Sequence, residues 1–365
     1  MAQMRDGMNY APEGKVEAVV GPGEFGFGVA ALDHGHINGM TNGLKEAGAA
    51  LRAVYDPDPQ KVEAFKAMNP EAEVMDSLEE LLARDDIQMV AAAAITSERE
   101  PLGAKVLQAG KHYFTDKAPL VSLEQLEDAK HWVKETGKRY FCYFSERLHV
   151  EAAVYAGQLV QEGRIGKVIQ VLGLGPHRLN ASTRPDWFFK HDQYGGILTD
   201  IGSHQIEQFL FFTGATDAEV VASQVGNYHH PQYHELEDFG DCMLAGSNGA
   251  TNYFRVDWFT PDGLSTWGDG RLVILGTDGY IELRKYTNLA TESSRDHVFV
   301  ADQEGEHHYH VTGKVGFPFF GEMILDCING TEHAMTQDHI FKAAELAVRA
   351  QMQAQKRGFA EKDQG

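Results

Sequence analysis

The sequence predicts an α/β protein in two parts: a doubly wound parallel sheet, then an α+β unit with a mostly antiparallel sheet. Three observations predict this. Strand-like and helix-like segments alternate between residues 27 and 144. Strand-like segments dominate after residue 215. The length of 365 residues suggests two domains at roughly 150 residues each, and a 43% hydrophobic content is typical of globular chains.

The first part consists of short apolar runs that alternate with helical segments. Strands are predicted at 27–32, 51–55, 89–95, 113–115 and 139–144. Helices are predicted at 37–47, 60–68, 78–84, 101–109 and 122–136. The last helix opens with a capping box, in which Gln125 follows Ser122 by three residues. Doubly wound sheets bind ligands at the carboxyl ends of their strands, so we expect the functional site there.

The second part begins with a helix at 150–162, a strand at 168–174 and a helix at 197–212. Strands then follow at 219–225, 238–244, 250–258, 271–276 and 280–285. A terminal amphipathic helix is predicted at 336–357. A run of strands after one or two helices favours an antiparallel sheet with helices on one face.

Composition excludes several classes of protein. The formal net charge of −21 argues against binding to nucleic acid or anionic membranes, because both need a basic face. The apolar run 89–95 is too short to cross a bilayer, and residues 1–14 contain no secretory signal. The cysteines are few and widely spaced, which favours a reducing, cytoplasmic location; they are Cys142, Cys242 and Cys327.

Two loops are candidates for binding a dinucleotide phosphate. Residues 21–26 satisfy G-x-G-x-x-G, but they precede a strand instead of following one, so we interpret them as a chance match. The loop Ala31–His36 follows the strand and lies 20 residues before Asp56, which is the expected spacing. Phosphates would meet the helix N-terminus near His36, unless His34 and His36 serve only to cap or pack. Asp33 would be unfavourable there unless it binds another group.

Asp56 ends the second predicted strand. A carboxylate at this position accepts both ribose hydroxyls and repels a 2′-phosphate, which favours NAD over NADP. The alternative is a simple turn, since Asp-Pro-Asp-Pro is strong turn chemistry.

Three polar residues are candidates for catalysis. Asp200 and His204 are four residues apart on a predicted helix, so they share a face and form a possible acid/base pair. A buried structural histidine is one alternative. A metal site with Glu207 is another, but further ligands have no clear source, so we predict no metal. Lys117 follows a short strand at the sheet's carboxyl edge, where a nicotinamide would lie; the alternative is a solvated lysine.

Three motifs carry a resemblance to a known family. They are Ala109–Lys117 followed by Pro119-Leu120, residues 163–168, and residues 195–204. They resemble A-G-K-H-V-x-x-E-K-P-L, G-x-I-G-x-V and G-G-G-x-L-x-D-x-G-x-H of the Gfo/Idh/MocA oxidoreductases, named after glucose–fructose oxidoreductase and inositol dehydrogenase. Order and spacing agree over residues 27–215.

The resemblance implies an N-terminal Rossmann domain and a C-terminal domain whose large open sheet often mediates homo-oligomers. It implies hydride transfer between NAD(P) and a sugar, cyclitol or related polyol. His204 would accept the hydroxyl proton, Lys117 would stabilise charge on the reacting oxygen, and Asp200 would orient His204 or bind a hydroxyl. We expect an extension at 1–26, a coenzyme domain at 27–147 and a substrate domain at 148–365.

The chain also departs from the family pattern. Ala31–His36 replaces the glycine-rich loop, Ala118 separates the lysine from the proline, and Ile95-Thr96 stands where the family has Pro-Asn. By position, the expected coenzyme contacts are Asp33, His34, His36, Asp56, Ile95, Thr96 and Lys117. The expected substrate contacts are Tyr143, Arg147, His177, Arg178 and Trp187, although Trp187 is equally consistent with a core residue.

Two other functions fit the same motifs. Some members of the family cleave glycosides with an NAD that is oxidised and re-reduced in one cycle. Others keep the fold as ligand-sensing regulators, an interpretation that the intact Lys117, Asp200 and His204 disfavour. The histidines at 229, 230, 234, 307, 308 and 310 are expected to be solvated.

Overall fold

Six parallel strands form the first sheet, as the sequence predicts. The computed structural model describes residues 6–12, 14, 17–291 and 294–359. The strands are β1 (Gly26–Ala30), β2 (Ala50–Tyr55), β3 (Glu73–Val74), β4 (Met89–Ala92), β5 (His112–Asp116) and β6 (Tyr140–Tyr143). Their order is β3-β2-β1-β4-β5-β6. In this doubly wound order the strand order reverses between β1 and β4, so a crevice opens beyond the carboxyl ends of those two strands.

Five helices connect these strands. They are α1 (His36–Glu46), α2 (Pro59–Met68), α3 (Leu78–Leu82), α4 (Arg99–Gln108) and α5 (Leu123–Thr136). Ser122 caps α5 as predicted, since its hydroxyl accepts a hydrogen bond from the Gln125 N–H at 3.2 Å. The strand predicted at 89–95 ends at Ala92, because Ala93 bonds instead with Ala31 and His34 in the loop after β1. These bonds join the carboxyl ends of β1 and β4.

Residues 21–24 form a turn before β1, so the G-x-G-x-x-G match lies at the amino end of that strand. The Gly21 N–H donates to the Glu24 carboxylate at 2.8 Å. Gly26 is already in the sheet, where a side chain would collide with the Asp86 carbonyl. The interpretation of this motif as a chance match is consistent with its position on the wrong edge of the sheet.

The second unit begins with six elements: α6 (Ser145–Leu148), α7 (Glu151–Gln161), β7 (Val168–Pro176), α8 (His191–Tyr194), α9 (Ile197–Asp200) and α10 (Gly202–Thr213). It continues with β8 (Ala218–Gly226), β9 (Phe239–Gly246), β10 (Thr251–Asp257), β11 (Arg271–Gly276), β12 (Gly279–Arg284), β13 (His297–Asp302) and β14 (Gly305–His310). It ends with α11 (Pro318–Asn329), α12 (Gln337–Met352) and β15 (Gln355–Arg357). The described strands form one sheet of order β14-β13-β12-β11-β7-β10-β9-β8-β15, antiparallel except at β7/β10 and β8/β15.

Several elements depart from the sequence prediction. The terminal helix was predicted to reach Arg357, which is wrong: it ends at Met352, and the next residues pair with the free edge of β8. The strands β13 and β14 and the helix α11 were missed. On β14 the outward and inward side chains are both polar, so no alternation signals a strand. Its His308 and His310 are not simply solvated, because they stack on Phe299 and His297 of β13.

The terminal helix α12 packs against both units. It contacts α5 and β6 on one side and α10 and β8 on the other. Its first residue, Gln337, accepts a hydrogen bond from the Tyr140 N–H at 2.8 Å and donates to the Tyr140 carbonyl at 3.1 Å. A side-chain amide therefore satisfies backbone groups on the edge strand of the first sheet. In the described part of the chain, no helix combines the length and apolar character that a bilayer crossing requires.

Candidate active site

A small cavity lies where the carboxyl edge of the first sheet meets α9 and α10. Its volume is about 30 Å³, whereas ligand pockets usually measure roughly 300–1,000 Å³. Polar side chains from both units line it, among them His34, His36, Lys117, Glu146, His177, Asp200 and His204. Both units of the chain therefore contribute polar side chains to the same cavity.

An ion pair joins the two units at this cavity. Lys117 directly follows β5, and its Nζ donates to Asp200 Oδ1 at 2.5 Å. Both side chains are buried. Burial alone raises the pKa of Asp200, but the Lys117 ammonium outweighs it and holds that pKa below its ordinary value. The Asp200 carboxylate thus bonds with Lys117, and the expectation that it orients His204 or binds a hydroxyl stays a prediction.

His204 lies one turn further along, on α10, and is buried beside the cavity. Its Nδ1 has no hydrogen-bond partner. Burial lowers the pKa of His204 to about 3, and the positive charge of Lys117 adds to this effect while Glu146 opposes it. The imidazole is therefore neutral at pH 7 and is able to accept a proton from a ligand.

A second buried ion pair supports this site and has no signal in the sequence. Glu146 on α6 accepts hydrogen bonds from Lys285 Nζ and Gln205 Nε2, both at 2.9 Å. Its other oxygen, Oε1, is buried without a partner and lies 3.9 Å from His177 Nε2. Burial would raise the pKa of Glu146, but Lys285, His204 and His177 bring it to about 2. A carboxylate with one free oxygen thus faces the cavity.

The loop after β1 has an unusual backbone for its sequence. Ala31 has φ +56°, in the left-handed region that favours glycine. The next amide, Leu32 N–H, donates to Asp56 Oδ2 at 2.6 Å, and Asp58 N–H donates to Oδ1 at 2.8 Å. Asp33 binds Lys61 Nζ at 2.6 Å, so this carboxylate has a partner on α2.

Two histidines of this loop meet the end of β5. His36 Nδ1 lies 2.9 Å from Asp116 Oδ1, and His34 Nδ1 lies 3.2 Å from Oδ2. The Arg99 guanidinium lies 3.2 Å from Oδ2. Burial would raise the pKa of Asp116, but His36, Arg99 and His34 hold it well below its ordinary value. Arg99 follows the turn that contains the buried Thr96.

An N-terminal arm, defined as residues 6–12, covers this edge. The Gly7 carbonyl lies 3.3 Å from His36 Nε2. A side chain at Gly35 would collide with Asn9 and with the Met8 carbonyl, so glycine is what allows the arm to approach. Tyr10 is packed edge-on against Tyr286, with ring centroids 5.7 Å apart. The arm therefore lies across the N-terminus of α1 and closes the cavity.

The predicted substrate residues divide into two groups. Tyr143 and His177 line the cavity. Arg147 does not line it, and Glu207 Oε1 accepts a hydrogen bond from its Nε at 2.7 Å. Arg178 is also held elsewhere, since it donates to the carbonyls of residues 261 and 264 at 2.8 Å. Trp187 packs on Phe188 instead of lining the cavity, and its ring centroid is 6.5 Å from that of His34.

Two tryptophans of the second unit were not anticipated. Trp258 and Trp267 line the cavity, and both indole Nε1 groups are buried without hydrogen-bond partners. His177 packs against them, at centroid distances of 5.4 and 4.6 Å. Both residues lie in the connection between β10 and β11, in stretches without a recognisable motif. The sequence therefore gave no reason to predict that they line the cavity.

Comparison with known proteins agrees with this architecture. A family model described as an oxidoreductase family with an NAD-binding Rossmann fold matches residues 18–144. A model described as the GFO/IDH/MocA C-terminal domain matches residues 154–282. A crystal structure from Erwinia carotovora atroseptica, described as that of a candidate oxidoreductase, is 50% identical with a TM-score of 0.88 and covers 91% of this chain and 99% of that one.

Curated relatives are more distant. An uncharacterized oxidoreductase of Synechocystis is 26% identical over 164 residues, 44% of each chain. The scyllo-inositol 2-dehydrogenase (NAD+) of Bacillus subtilis is 26% identical over 259 residues, 70% of this chain and 71% of that one. The match spans about half or less of the length of the first curated relatives. The two family models together cover more than half of this chain, which therefore belongs to the Gfo/Idh/MocA family of oxidoreductases.

Proposed function

We propose that this protein transfers a hydride between a nicotinamide coenzyme and a hydroxyl-bearing carbon of a sugar, cyclitol or related polyol. The observation that carries the proposal is the ion pair between Lys117 and Asp200, beside the neutral imidazole of His204. It places a hydrogen-bond donor and a proton acceptor at the carboxyl edge of a doubly wound sheet, where such coenzymes bind.

The three residues have separate roles. His204 accepts the hydroxyl proton of the substrate, since its ring is neutral and Nδ1 has no partner. The Lys117 ammonium has three N–H donors; one binds Asp200, and the others are available to stabilise charge on the reacting oxygen. Asp200 holds Lys117 in position. The coenzyme, when bound, supplies or receives the hydride.

The coenzyme half of the site has features that fit a dinucleotide. Ala31 adopts the left-handed turn that a glycine usually provides, and α1 presents its N-terminus to the cavity. Asp56 stands at the end of β2, where a carboxylate binds a ribose diol. We therefore infer a preference for NAD over NADP, which a comparison of NADH and NADPH binding tests.

The cavity wall favours a polyhydroxylated substrate. Its described lining residues carry five polar atoms that are buried without hydrogen-bond partners: Glu146 Oε1, His149 Nε2, His204 Nδ1, Trp258 Nε1 and Trp267 Nε1. Unpartnered buried groups are costly, and hydroxyl groups satisfy donors and acceptors alike. The tryptophan faces also suit the C–H surface of a sugar ring. The named activity of the Bacillus relative, on scyllo-inositol, supports the same substrate class.

The exposed face of the second sheet favours a homo-oligomer. Leu172, Tyr253 and Met243 are neighbours in register on β7, β10 and β9, and all three are exposed. Leu275 and Tyr280 extend this apolar face. A contiguous apolar surface on a sheet usually marks an interaction site.

The first prediction concerns His204. We expect His204→Ala to lower kcat by roughly 10²–10⁴-fold, the usual contribution of a general base, while NADH binding changes little. The assay follows reduced coenzyme over a panel of sugars, inositols and glycosides. His131→Ala on the exposed face of α5 is the matched control. Unchanged turnover in His204→Ala would overturn the proposed role, and tightly bound NAD with no net NADH would favour the glycoside-cleaving alternative.

The second prediction is a pH profile. Because the pKa of His204 is lowered to about 3, the base stays unprotonated well below pH 6.5. Protonation of this ring removes the base, so its acid limb in kcat/KM is expected near pH 3. A steady-state profile from pH 4 to 9 is therefore expected to show no loss of activity near pH 6.5 from this ring. An acid limb near pH 6.5 in the wild type would contradict a buried, neutral His204.

The third prediction concerns the arm. A variant lacking residues 1–12 is expected to bind NADH at least about tenfold more tightly, because the arm then no longer covers the N-terminus of α1. Energy transfer from Trp258 and Trp267 to bound NADH provides the readout. A variant lacking residues 360–365 is the control truncation. Equal or weaker binding by the arm deletion would show that the arm does not compete with the coenzyme.

The fourth prediction concerns assembly. Light scattering after gel filtration is expected to give a mass of at least two chains. Tyr253→Lys introduces a charge at the centre of the apolar face and is expected to lower that mass. Lys167→Glu, at the exposed start of the same sheet, controls for a simple change of charge. A single-chain mass for the wild type would exclude the oligomer.

A further inference from the structure

Two imidazoles and one carboxylate converge at the end of β5. His34, His36 and Asp116 offer ligand atoms that all lie within 4.8 Å of one another, and no other such group of three occurs in the described part of the chain. We propose that these three residues bind a divalent first-row transition metal ion of the Zn²⁺ or Co²⁺ class. The inference rests on the ligand set and does not depend on the proposed hydride transfer.

The spacing of the ligand atoms suits such an ion. Metal–nitrogen and metal–oxygen distances near 2.0–2.2 Å place neighbouring ligands of a tetrahedral site about 3.3 Å apart. The His34 Nδ1 to Asp116 Oδ2 distance is 3.2 Å, and the His36 Nδ1 to Asp116 Oδ1 distance is 2.9 Å. Small side-chain shifts therefore suffice to surround a cation.

Both rings turn Nδ1, a possible ligand atom, toward the Asp116 carboxylate. His36 Nε2 lies 3.3 Å from the Gly7 carbonyl, which accepts the Nε2 hydrogen when Nδ1 binds a cation. The His36 backbone N–H donates to His34 Nδ1 at 3.3 Å, so that nitrogen carries a lone pair. Histidine ligands commonly donate their other N–H to a carbonyl in this way.

Without a metal ion, a ring hydrogen lies between His36 Nδ1 and the Asp116 carboxylate, and a bound metal ion would take its place. The charge of Asp116 is already matched by Arg99 at 3.2 Å, and the Lys117 backbone N–H donates to Oδ1 at 2.8 Å. A bound ion adds positive charge to this site, and water or ligand oxygens would complete its shell from the cavity that His34 and His36 line.

The ligand types select the class of metal. Ca²⁺ takes six to eight oxygen ligands and Mg²⁺ needs an octahedral oxygen shell, whereas this site offers two nitrogens and one carboxylate. Imidazole and carboxylate together suit Zn²⁺, Co²⁺ and Fe²⁺. His34 and His36 both line the cavity next to Lys117, so the ion would border the candidate active site.

The test uses the full chain, stripped with a chelator and titrated with CoCl₂. We expect one Co²⁺ per chain with a visible d–d absorption band, and displacement of that band by Zn²⁺. His34→Gln and His36→Gln are each expected to weaken binding by at least about tenfold, the effect of losing part of a metal site. His308→Gln, in the histidine stack on β14, is the matched control, and circular dichroism confirms that each variant is folded.

Asp116→Asn is the third ligand variant and keeps an oxygen for Arg99, so it guards against a folding defect in the histidine variants. Loss of the Co²⁺ band in all three folded variants, with His308→Gln unchanged, would establish the site. The proposal is overturned if the wild type binds no Co²⁺, if the double variant His34→Gln/His36→Gln binds as tightly as the wild type, or if His308→Gln alone abolishes binding. In the first case protons, not a metal, balance the cluster.

Discussion

The ion pair between Lys117 and Asp200 is the contact on which the candidate site depends. It links the end of β5 in the first sheet to the end of α9 in the second unit, at 2.5 Å. Desolvating two charges costs several kcal/mol, which is recovered only with good geometry and further hydrogen bonds. Removing either residue would leave the other as a buried charge without a partner. Both units must therefore hold their relative position for the pair to persist.

The other buried carboxylates near the cavity follow the same rule, that a buried charge needs a partner of opposite charge. Each buried carboxylate around the cavity has a buried cation as its partner: Asp200 with Lys117, Glu146 with Lys285, Glu207 with Arg147, and Asp116 with Arg99. Because the acids are already paired, burial acts on the histidines with little to oppose it. This explains why the pKa values of His204 and His177 fall to about 3 and about 4. A neutral imidazole at the cavity is thus a consequence of its burial, which the paired carboxylates do not overcome.

Sequence reasoning found the parts of the site that a local pattern marks. Lys117 follows a short strand, and His204 lies in a glycine-flanked helix, so strand order and motif spacing were enough to bring them together. Lys285 and Glu146 escaped because they are 139 residues apart in sequence and neither stands in a motif. Helical spacing relates Asp200 to His204, but it could not reveal Lys117, the residue that Asp200 binds, which lies 83 positions away in the sequence.

The role of the loop after β1 could not be predicted from the number of glycines in it. A glycine near the start of α1 normally lets a phosphate approach the backbone. Here Gly35 lies against the arm, since a side chain at Gly35 would collide with Asn9, whereas one at Gly39 would collide with the Tyr143 hydroxyl. The absent side chain at Gly35 admits the arm, and it would equally admit a pyrophosphate once the arm leaves. Arm and coenzyme would therefore compete for one surface at the N-terminus of α1.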